Sequence, residues 1–185
     1  MDAITALHRR VSQGVLGEPA PAGEVLENIK KAALRAADHG MLRPWRFVVI
    51  AGAGLTRFGE LLVRATEADS GPLSDREKEK VAARPRRAPM IIAVVCSPRD
   101  NPKIPVVEQL LSAGAAAQNM LNAAFAQGVG AMWRTGGFAY HPQVMRELGL
   151  TAGETIVGFL YLGTMKTEVP SPPELNPQEY FSDWR

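Results

Sequence analysis

The segment from Val106 to Gln127 constrains the fold of this chain more than any other, because it is apolar on nearly every side and rich in small residues. Its length and composition predict one long helix. A helix without a polar face has to be buried on most of its sides. The small residues around Gly114 allow another backbone to approach closely, so we expect this helix to be the spine of a core or of an interface.

Four further segments have the pattern of strands, because they are short, apolar and rich in β-branched or aromatic residues. The predicted strands are Arg46–Ala51, Met90–Cys96, Ala131–Thr135 and Thr155–Gly163. Helices are predicted at Ala3–Val11, from Pro21 to about Asp38, and at Leu55–Ala65, Ser74–Ala83 and Pro142–Leu148. The chain has no internal repeat and no second composition regime. This order predicts a single α+β domain over residues 1–185, a sheet with helices on its faces.

The charge pattern gives no sign of a nucleic-acid or membrane partner. Lys and Arg number 21 against 19 Asp and Glu, for a net charge of +2. No run reaches the roughly 20 apolar residues of a membrane span, and the N-terminus does not have the pattern of a signal peptide. We therefore expect a soluble, cytoplasmic protein. The basic run Arg84–Arg87 is isolated and has acidic neighbours, which favours a solvated loop over a nucleic-acid site.

The chain carries no self-contained catalytic or metal-binding motif. Its three His and its one Cys are not spaced as zinc ligands, and no G-x-S-x-G or Walker A motif occurs. Cys96 has no second cysteine with which to form an intrachain disulfide, and its apolar surroundings predict that it is buried. If the chain is an enzyme, the chemistry comes from a cofactor and no metal site is expected.

The end of the first helix carries the first of three constellations that suit a phosphorylated cofactor. Arg10 and Ser12 lie on either side of Val11. A phosphate monoester carries close to two negative charges, and an Arg with a nearby hydroxyl is a natural pair of ligands for it. A solvated basic helix end would have the same residues, so both interpretations stay open on spacing alone.

Two further constellations have similar alternatives. In Trp133-Arg134-Thr135, the guanidinium at a strand end can bind phosphate while the ring packs, or the Arg can simply lie over a core Trp. Arg35 and His39 are four residues apart, which predicts a shared helix face. This pair can flank a planar, electron-rich ring, or it can be an ordinary helix C-terminus whose cations offset the dipole.

Taken in order, these segments resemble the nitroreductase family, and in particular its short branch. The stretches that carry the resemblance are MDAITALHRRVSQ, RAADHGMLRPWRFVVI, EQLLSAGAAAQNMLNAAFAQGVGAMWRTG and TIVGFLYLGT. They cover nearly the whole chain, and the third is the most specific match. The resemblance implies an α+β, nitroreductase-like fold with a central, mostly antiparallel sheet and helices on both faces. It also implies an intertwined homodimer in which two chains bury the long helix against each other.

The same resemblance implies two FMN molecules at the dimer interface, each touched by both subunits. Arg10 and Ser12 match positions that bind the FMN phosphate and ribityl chain, and Arg134 matches a second phosphate ligand. Arg35 and His39 match positions that lie along the flavin in the short branch. The full set of matched cofactor positions is Arg10, Val11, Ser12, Arg35, His39, Trp133, Arg134 and Thr135.

For activity, the resemblance implies an FMN-dependent oxidoreductase that takes hydride from NAD(P)H and reduces a small oxidant such as a nitroaromatic or a quinone. One site that serves donor and acceptor in turn implies ping-pong kinetics. The flavin carries the chemistry, so no catalytic side chain is expected. The segment 164–185, with Tyr180, Phe181 and Trp184, is similar to the family's C-terminal extension, and we expect it to dock on the partner subunit.

Several positions depart from the family's pattern. Val11 replaces the usual second Arg, Met41 a common Asn, and Arg43 the usual Gln before Pro-Trp, while Gly14 and Val15 stand where an Arg is often found. In larger relatives the polar residues often contact the flavin ring or the ribityl chain. Two alternatives therefore stay open: another flavin reaction on the same scaffold, and a binding module that has lost its flavin.

Overall fold

A five-stranded antiparallel sheet forms the centre of the structure, a computed structural model that describes residues 1–185. The strands are β1 (Leu16–Gly17), β2 (Trp45–Ala51), β3 (Met90–Cys96), β4 (Gly130–Arg134) and β5 (Thr155–Met165). The helices are α1 (Ala3–Arg9), α2 (Gly23–Ala33), α3 (Ala53–Ser70), α4 (Asp75–Ala82), α5 (Val106–Ala126) and α6 (Pro142–Glu147). The strand order is β1-β5-β3-β2, and β4 also pairs with β5.

Strand β3 lies between β5 and β2, and all seven of its residues are buried. Successive side chains of a strand point to opposite faces of the sheet. Ile91 and Ala93 pack with residues of α3, α4 and α6 on one face. Ile92 and Val94 pack with residues of α2 and α5 on the other. The α+β architecture, the antiparallel sheet and the helices on both faces are thus confirmed.

Helix α5 has 21 residues and spans about 30 Å at 1.5 Å per residue. A stripe of buried residues along it, among them Ala116, Ala117 and Leu121, packs on the sheet. Its first two turns, in contrast, expose Val107 and Leu111 to solvent, and Leu111 is 68% exposed. A single chain therefore buries one face of this apolar helix and leaves apolar side chains on another face exposed at its N-terminal end.

Several element boundaries differ from the predicted ones. Helix α3 is longer than predicted at both ends, β5 continues two residues beyond Gly163, and the two-residue β1 was not predicted. None of the helices has the length and apolar character needed to cross a membrane. After Met165 the chain has only one short 3-10 turn, Pro177–Glu179, and Trp184 is fully exposed.

The second predicted helix is too long, because α2 ends at Ala33 rather than near Asp38. The N–H groups of Arg35 and Ala36 donate to carbonyls three residues back, which tightens the last turn. A separate 3-10 turn, His39–Met41, then follows, with Gly40 in the left-handed region at φ 71°. The prediction that Arg35 and His39 share a helix face is therefore wrong.

Candidate functional site

The segment after α1 lies along the edge of β4. Asp2 caps the start of α1, and its carboxylate accepts a hydrogen bond from the N–H of Thr5 at 3.0 Å. The helix ends where Arg10 turns to an extended conformation. Three residues later, the N–H of Gln13 donates to the carbonyl of Ala131 in β4 at 2.9 Å. This bond fixes the half-buried Arg10 and the exposed Ser12 beside the strand that ends in Arg134.

Gln13 is itself 4% exposed, and its side-chain Nε2 has no hydrogen-bond partner. A buried amide that donates to nothing is costly, so such a group calls for an explanation. Its neighbours Arg10 and Ser12 supply a positive charge and a hydroxyl. This donor set fits a ligand that presents several hydroxyl or phosphate oxygens, as a ribityl phosphate does.

Trp133 and Arg134 point to opposite sides of β4. The indole N–H of Trp133 donates to the carbonyl of Val157 at 3.4 Å, and the ring reaches Gly114 of α5. Gly158 makes room for this ring, because a Cβ there would overlap the indole nitrogen. Trp133 is therefore a packing residue on the α5 side of the sheet.

Arg134 does not lie over Trp133. Its guanidinium carbon lies 5.6 Å from the ring centroid of Tyr161, on the face of the sheet opposite α5. One guanidinium nitrogen would be 3.8 Å from a Cβ at Gly14, so the absence of a side chain at that position leaves it room. The structure thus brings the Arg10–Ser12 segment together with Arg134 and the exposed Thr135 that follows it.

Arg35 and His39 lie elsewhere in the same chain: Arg35 is exposed just after α2, and His39 lies beside the first turn of α5. The His39 Nδ1 is 2.6 Å from a carboxylate oxygen of Glu108, and both side chains are largely exposed. The hydroxyl of Ser112 donates to the carbonyl of Ala37, which fixes the intervening turn on the same helix. The three predicted constellations therefore form two groups within one chain.

The turn after His39 contains two of the positions that depart from the family's pattern. Met41 has φ 54° and Arg43 has φ 51°, both in the left-handed region that Asn and Gly adopt more readily. The N–H of Arg43 donates to a carboxylate oxygen of Asp38 at 2.7 Å. This bond helps to hold the turn despite the unfavourable backbone conformation.

A cavity of about 730 Å³ lies beside Arg134, and it includes residues that the sequence interpretation missed. Arg84 and Arg87 line it, so the run Arg84–Arg87 is not simply a solvated loop. Pro85 is buried and starts a 3-10 turn, Pro85–Arg87. Three residues per turn place the side chains of Arg84 and Arg87 on the same side. That i, i+3 spacing was the available signal in the sequence.

The electrostatics of the cavity centre on Tyr161. Burial raises the pKa of its phenol, while the positive charges of Arg134, Arg87 and Arg84 act in the opposite direction. The net shift is upward, so the phenol stays protonated at neutral pH. No three His, Cys, Asp or Glu side chains lie close enough together to hold a metal ion. Burial also raises the pKa of the Cys96 thiol, which leaves this cysteine as a core residue.

Comparison with known proteins places this arrangement in a family. The model of the nitroreductase family matches residues 6–164. YdjA of Escherichia coli (strain K12), named for a proposed NAD(P)H nitroreductase activity, is 44% identical over 164 residues, which are 89% of this chain and 88% of YdjA.

Solved structures have the same fold. A nitroreductase-like family protein from Bacillus cereus superposes with a TM-score of 0.82 at 22% identity, covering 100% of this chain and 96% of that one. A protein from Desulfovibrio desulfuricans, named for a proposed nitroreductase activity and solved in complex with FMN, gives a TM-score of 0.74 at 22% identity, covering 100% and 98%. The chain described here therefore belongs to the nitroreductase family.

Proposed function

We propose that this chain is an FMN-dependent oxidoreductase that takes hydride from NAD(P)H and reduces a small oxidant, such as a nitroaromatic or a quinone, by a ping-pong mechanism. Family membership supports an oxidoreductase, and the FMN in the structure from Desulfovibrio desulfuricans supports the cofactor. One observation carries the proposal: the Arg10–Ser12 segment runs beside β4, the strand that ends in Arg134, and the next residue, Gln13, has a buried amide without a partner. Since NAD(P)H is a cytoplasmic electron donor, we place the activity in the cytoplasm.

In this proposal Arg10 and Ser12 bind the phosphate and the ribityl chain, and Arg134 supplies a second positive charge to the phosphate. The backbone around Val11 and Thr135 borders the cofactor on two sides, and the orphaned amide of Gln13 donates to one of its oxygens. When bound, FMN supplies the two-electron chemistry. The chain binds and orients the cofactor, and Trp133 keeps the end of β4 fixed against α5.

We further propose that two copies of the chain assemble through the uncovered part of α5. Helix α1 contacts α5 and adds exposed apolar side chains, Ile4 and Leu7, next to it. A second copy that covers this face brings the partner's start of α5, and with it Arg35 and His39, to the flavin of the first. The segment 164–185, whose aromatic residues are exposed within one chain, docks on the partner subunit.

The first test is an FMN titration of the purified protein, followed by NADH or NADPH without oxygen. We expect FMN to bind and its visible absorption to bleach with one of the two nucleotides. The Arg10→Ala variant should bind FMN about tenfold to a hundredfold more weakly, because one charge-assisted contact is lost.

Arg9→Ala is the matched control, since Arg9 is an exposed neighbour on α1. Equal FMN affinities for the two variants would refute the role of Arg10. A wild-type protein that ignores FMN altogether would favour the alternative of a binding module without flavin.

A further inference from the structure

The cavity beside Arg134 lies on the face of the sheet opposite α5, between β4, β5, α3 and the turn Pro85–Arg87. We call it the basic cavity, after the three arginines that line it, Arg84, Arg87 and Arg134. Arg84 and Arg87 match none of the positions through which the family resemblance identifies the flavin site. The positions of Arg84 and Arg87 in this cavity are therefore not accounted for by the flavin site.

The three guanidinium groups have no counter-charge within the chain. None of them forms an ion pair or a hydrogen bond with another residue. The one carboxylate that lines the cavity, Asp69, is paired with His141 at 3.2 Å. The three positive charges outnumber this one carboxylate, so the concave surface has a net positive field in the space inside. That space therefore favours an anion.

Tyr161 is a second and independent observation. This residue is 8% exposed, it lines the cavity, and its hydroxyl forms no hydrogen bond within the chain. The hydroxyl is not sealed off by the protein, so it is open to the cavity and available to a ligand there. The protonated phenol can donate to an acceptor oxygen in the cavity, next to the guanidinium of Arg134 above its ring.

Two of the three arginines lie over aromatic rings. Arg84 lies over the ring of Phe138 at 5.3 Å, as Arg134 does over Tyr161 at 5.6 Å. Such stacking leaves the planar N–H groups of a guanidinium free to bind an anion in a bidentate manner. Phe58 and Phe159 add apolar walls, and the volume is in the range of small-molecule sites.

We propose that the basic cavity is an anion site, in which Arg84, Arg87 and Arg134 together with the hydroxyl of Tyr161 bind a phosphate or carboxylate group on a ligand with an apolar body. The proposal rests on the proposed function, because Arg134 is common to the cavity and to the FMN site. The anionic group has two candidate sources, the phosphate of FMN and an acidic group of the electron acceptor.

The test compares the double variant Arg84→Gln/Arg87→Gln with Arg86→Gln. Arg86 lies in the same turn and is exposed, but it does not line the cavity. For each protein, fluorescence titration gives the affinities for FMN and for riboflavin, which lacks the phosphate. Calorimetry with the FMN-loaded protein gives the affinities for 4-nitrobenzoate and for its uncharged analogue 4-nitrotoluene.

If the cavity binds the FMN phosphate, the double variant loses about tenfold to a hundredfold in FMN affinity and keeps its riboflavin affinity. If it binds the acceptor, FMN affinity is unchanged and 4-nitrobenzoate binding falls by a similar factor, while 4-nitrotoluene binding does not change. Either result supports the anion site and identifies its source. Four affinities equal to those of Arg86→Gln would overturn it.

Two further variants guard against a folding artefact. Arg84→Lys/Arg87→Lys keeps both charges, and we expect it to retain more anion affinity than the Gln pair. Tyr161→Phe removes only the hydroxyl, and we expect it to weaken the same anion several-fold at an unchanged thermal midpoint. The proposed function fails separately, if the wild-type protein binds no flavin. In that case, calorimetry of the flavin-free protein with 4-nitrobenzoate still tests the anion site.

Discussion

At the scale of single residues, the clearest electrostatic contact is the bidentate pair of Arg46 and Glu154. Nε and Nη2 of Arg46 each donate to one carboxylate oxygen of Glu154 at 2.7 Å. The N–H of Thr151 also donates to this carboxylate at 2.9 Å. Glu154 is 6% exposed, and the hydrogen bonds from Arg46 hold its pKa down at about 2. The pair ties β2 to the turn before β5.

We expect Glu154→Gln to lower the free energy of unfolding at pH 7 by about 1–3 kcal/mol. The folded-state pKa of about 2 lies below the ordinary 4.5, so the pair stabilises the fold above pH 4.5. That stabilisation is lost as the pH falls from 4.5 towards 2, and the wild-type protein and the variant should converge there. Urea unfolding across this pH range measures it. Glu27→Gln, in an exposed pair with Lys30, is the control and should change little.

The sequence alone predicted the role of a residue where that role depends on its near neighbours along the chain. Ser74 caps α4 as expected, and its N–H donates to the carboxylate of Glu77 at 2.9 Å. Cys96 is buried, as its apolar run indicated. Tyr161 was missed, because its part in the cavity depends on Arg84 and Arg87, which reach it only through the fold.

At the scale of elements, the packing of β4 on β5 depends on Gly158. A Cβ at this position would overlap the indole nitrogen of Trp133 and come within 3.1 Å of the Arg134 carbonyl. We expect Gly158→Ala to cost about 1–3 kcal/mol of stability through overpacking, and to weaken FMN binding by displacing the end of β4. Denaturant unfolding and an FMN titration measure the two effects.

The matched control for this change is Gly54→Ala in α3. A Cβ there would make an ordinary contact with Ile50 at 3.5 Å, and Ala is favoured over Gly within a helix. This variant should be at least as stable as the wild-type protein. The packing argument fails if Gly158→Ala unfolds at the same denaturant concentration as Gly54→Ala.

Most elements could be predicted because their period and their end signals lie in the local sequence. The boundary of α2 could not, since apolar residues recur at helical spacing as far as Ala36, beyond the last residue of the helix. The hydrogen bonds of Arg35 and Ala36 to carbonyls three residues back decide where it ends. Strand β1 has only two residues, and it exists because Leu16 and Gly17 meet the end of β5. A contact between segments so distant in the chain leaves no periodic signal.

At the scale of the whole molecule, the proposed assembly rests on the exposed apolar side chains at the start of α5. We expect a dimer whose interface exceeds roughly 2,000 Å² in total. Leu111→Glu places a charge at an exposed apolar position on that helix. Burying this charge without a partner is strongly unfavourable, so the variant should sediment as a monomer at micromolar concentration.

The same variant should lose most of its FMN affinity, because a monomer lacks the partner's contribution of Arg35 and His39 to the proposed site. Arg76→Glu introduces the same residue at an exposed position of α4, on the opposite face of the sheet, and should remain a dimer. A wild-type protein that sediments as a folded monomer at micromolar concentration would contradict the proposed assembly.

The exposed apolar side chains at the start of α5, Val107 and Leu111, also bear on how the stability of the protein depends on its concentration. If the folded chain is stable only when a second copy covers these side chains, its free energy of unfolding depends on the protein concentration. The thermal midpoint should then rise when the protein is concentrated and fall on dilution. In the proposed dimer, flavin binding draws on both subunits, so flavin loading should show the same dependence on concentration. A cell that lowered the expression of this protein would then lose activity more than in proportion to the number of copies.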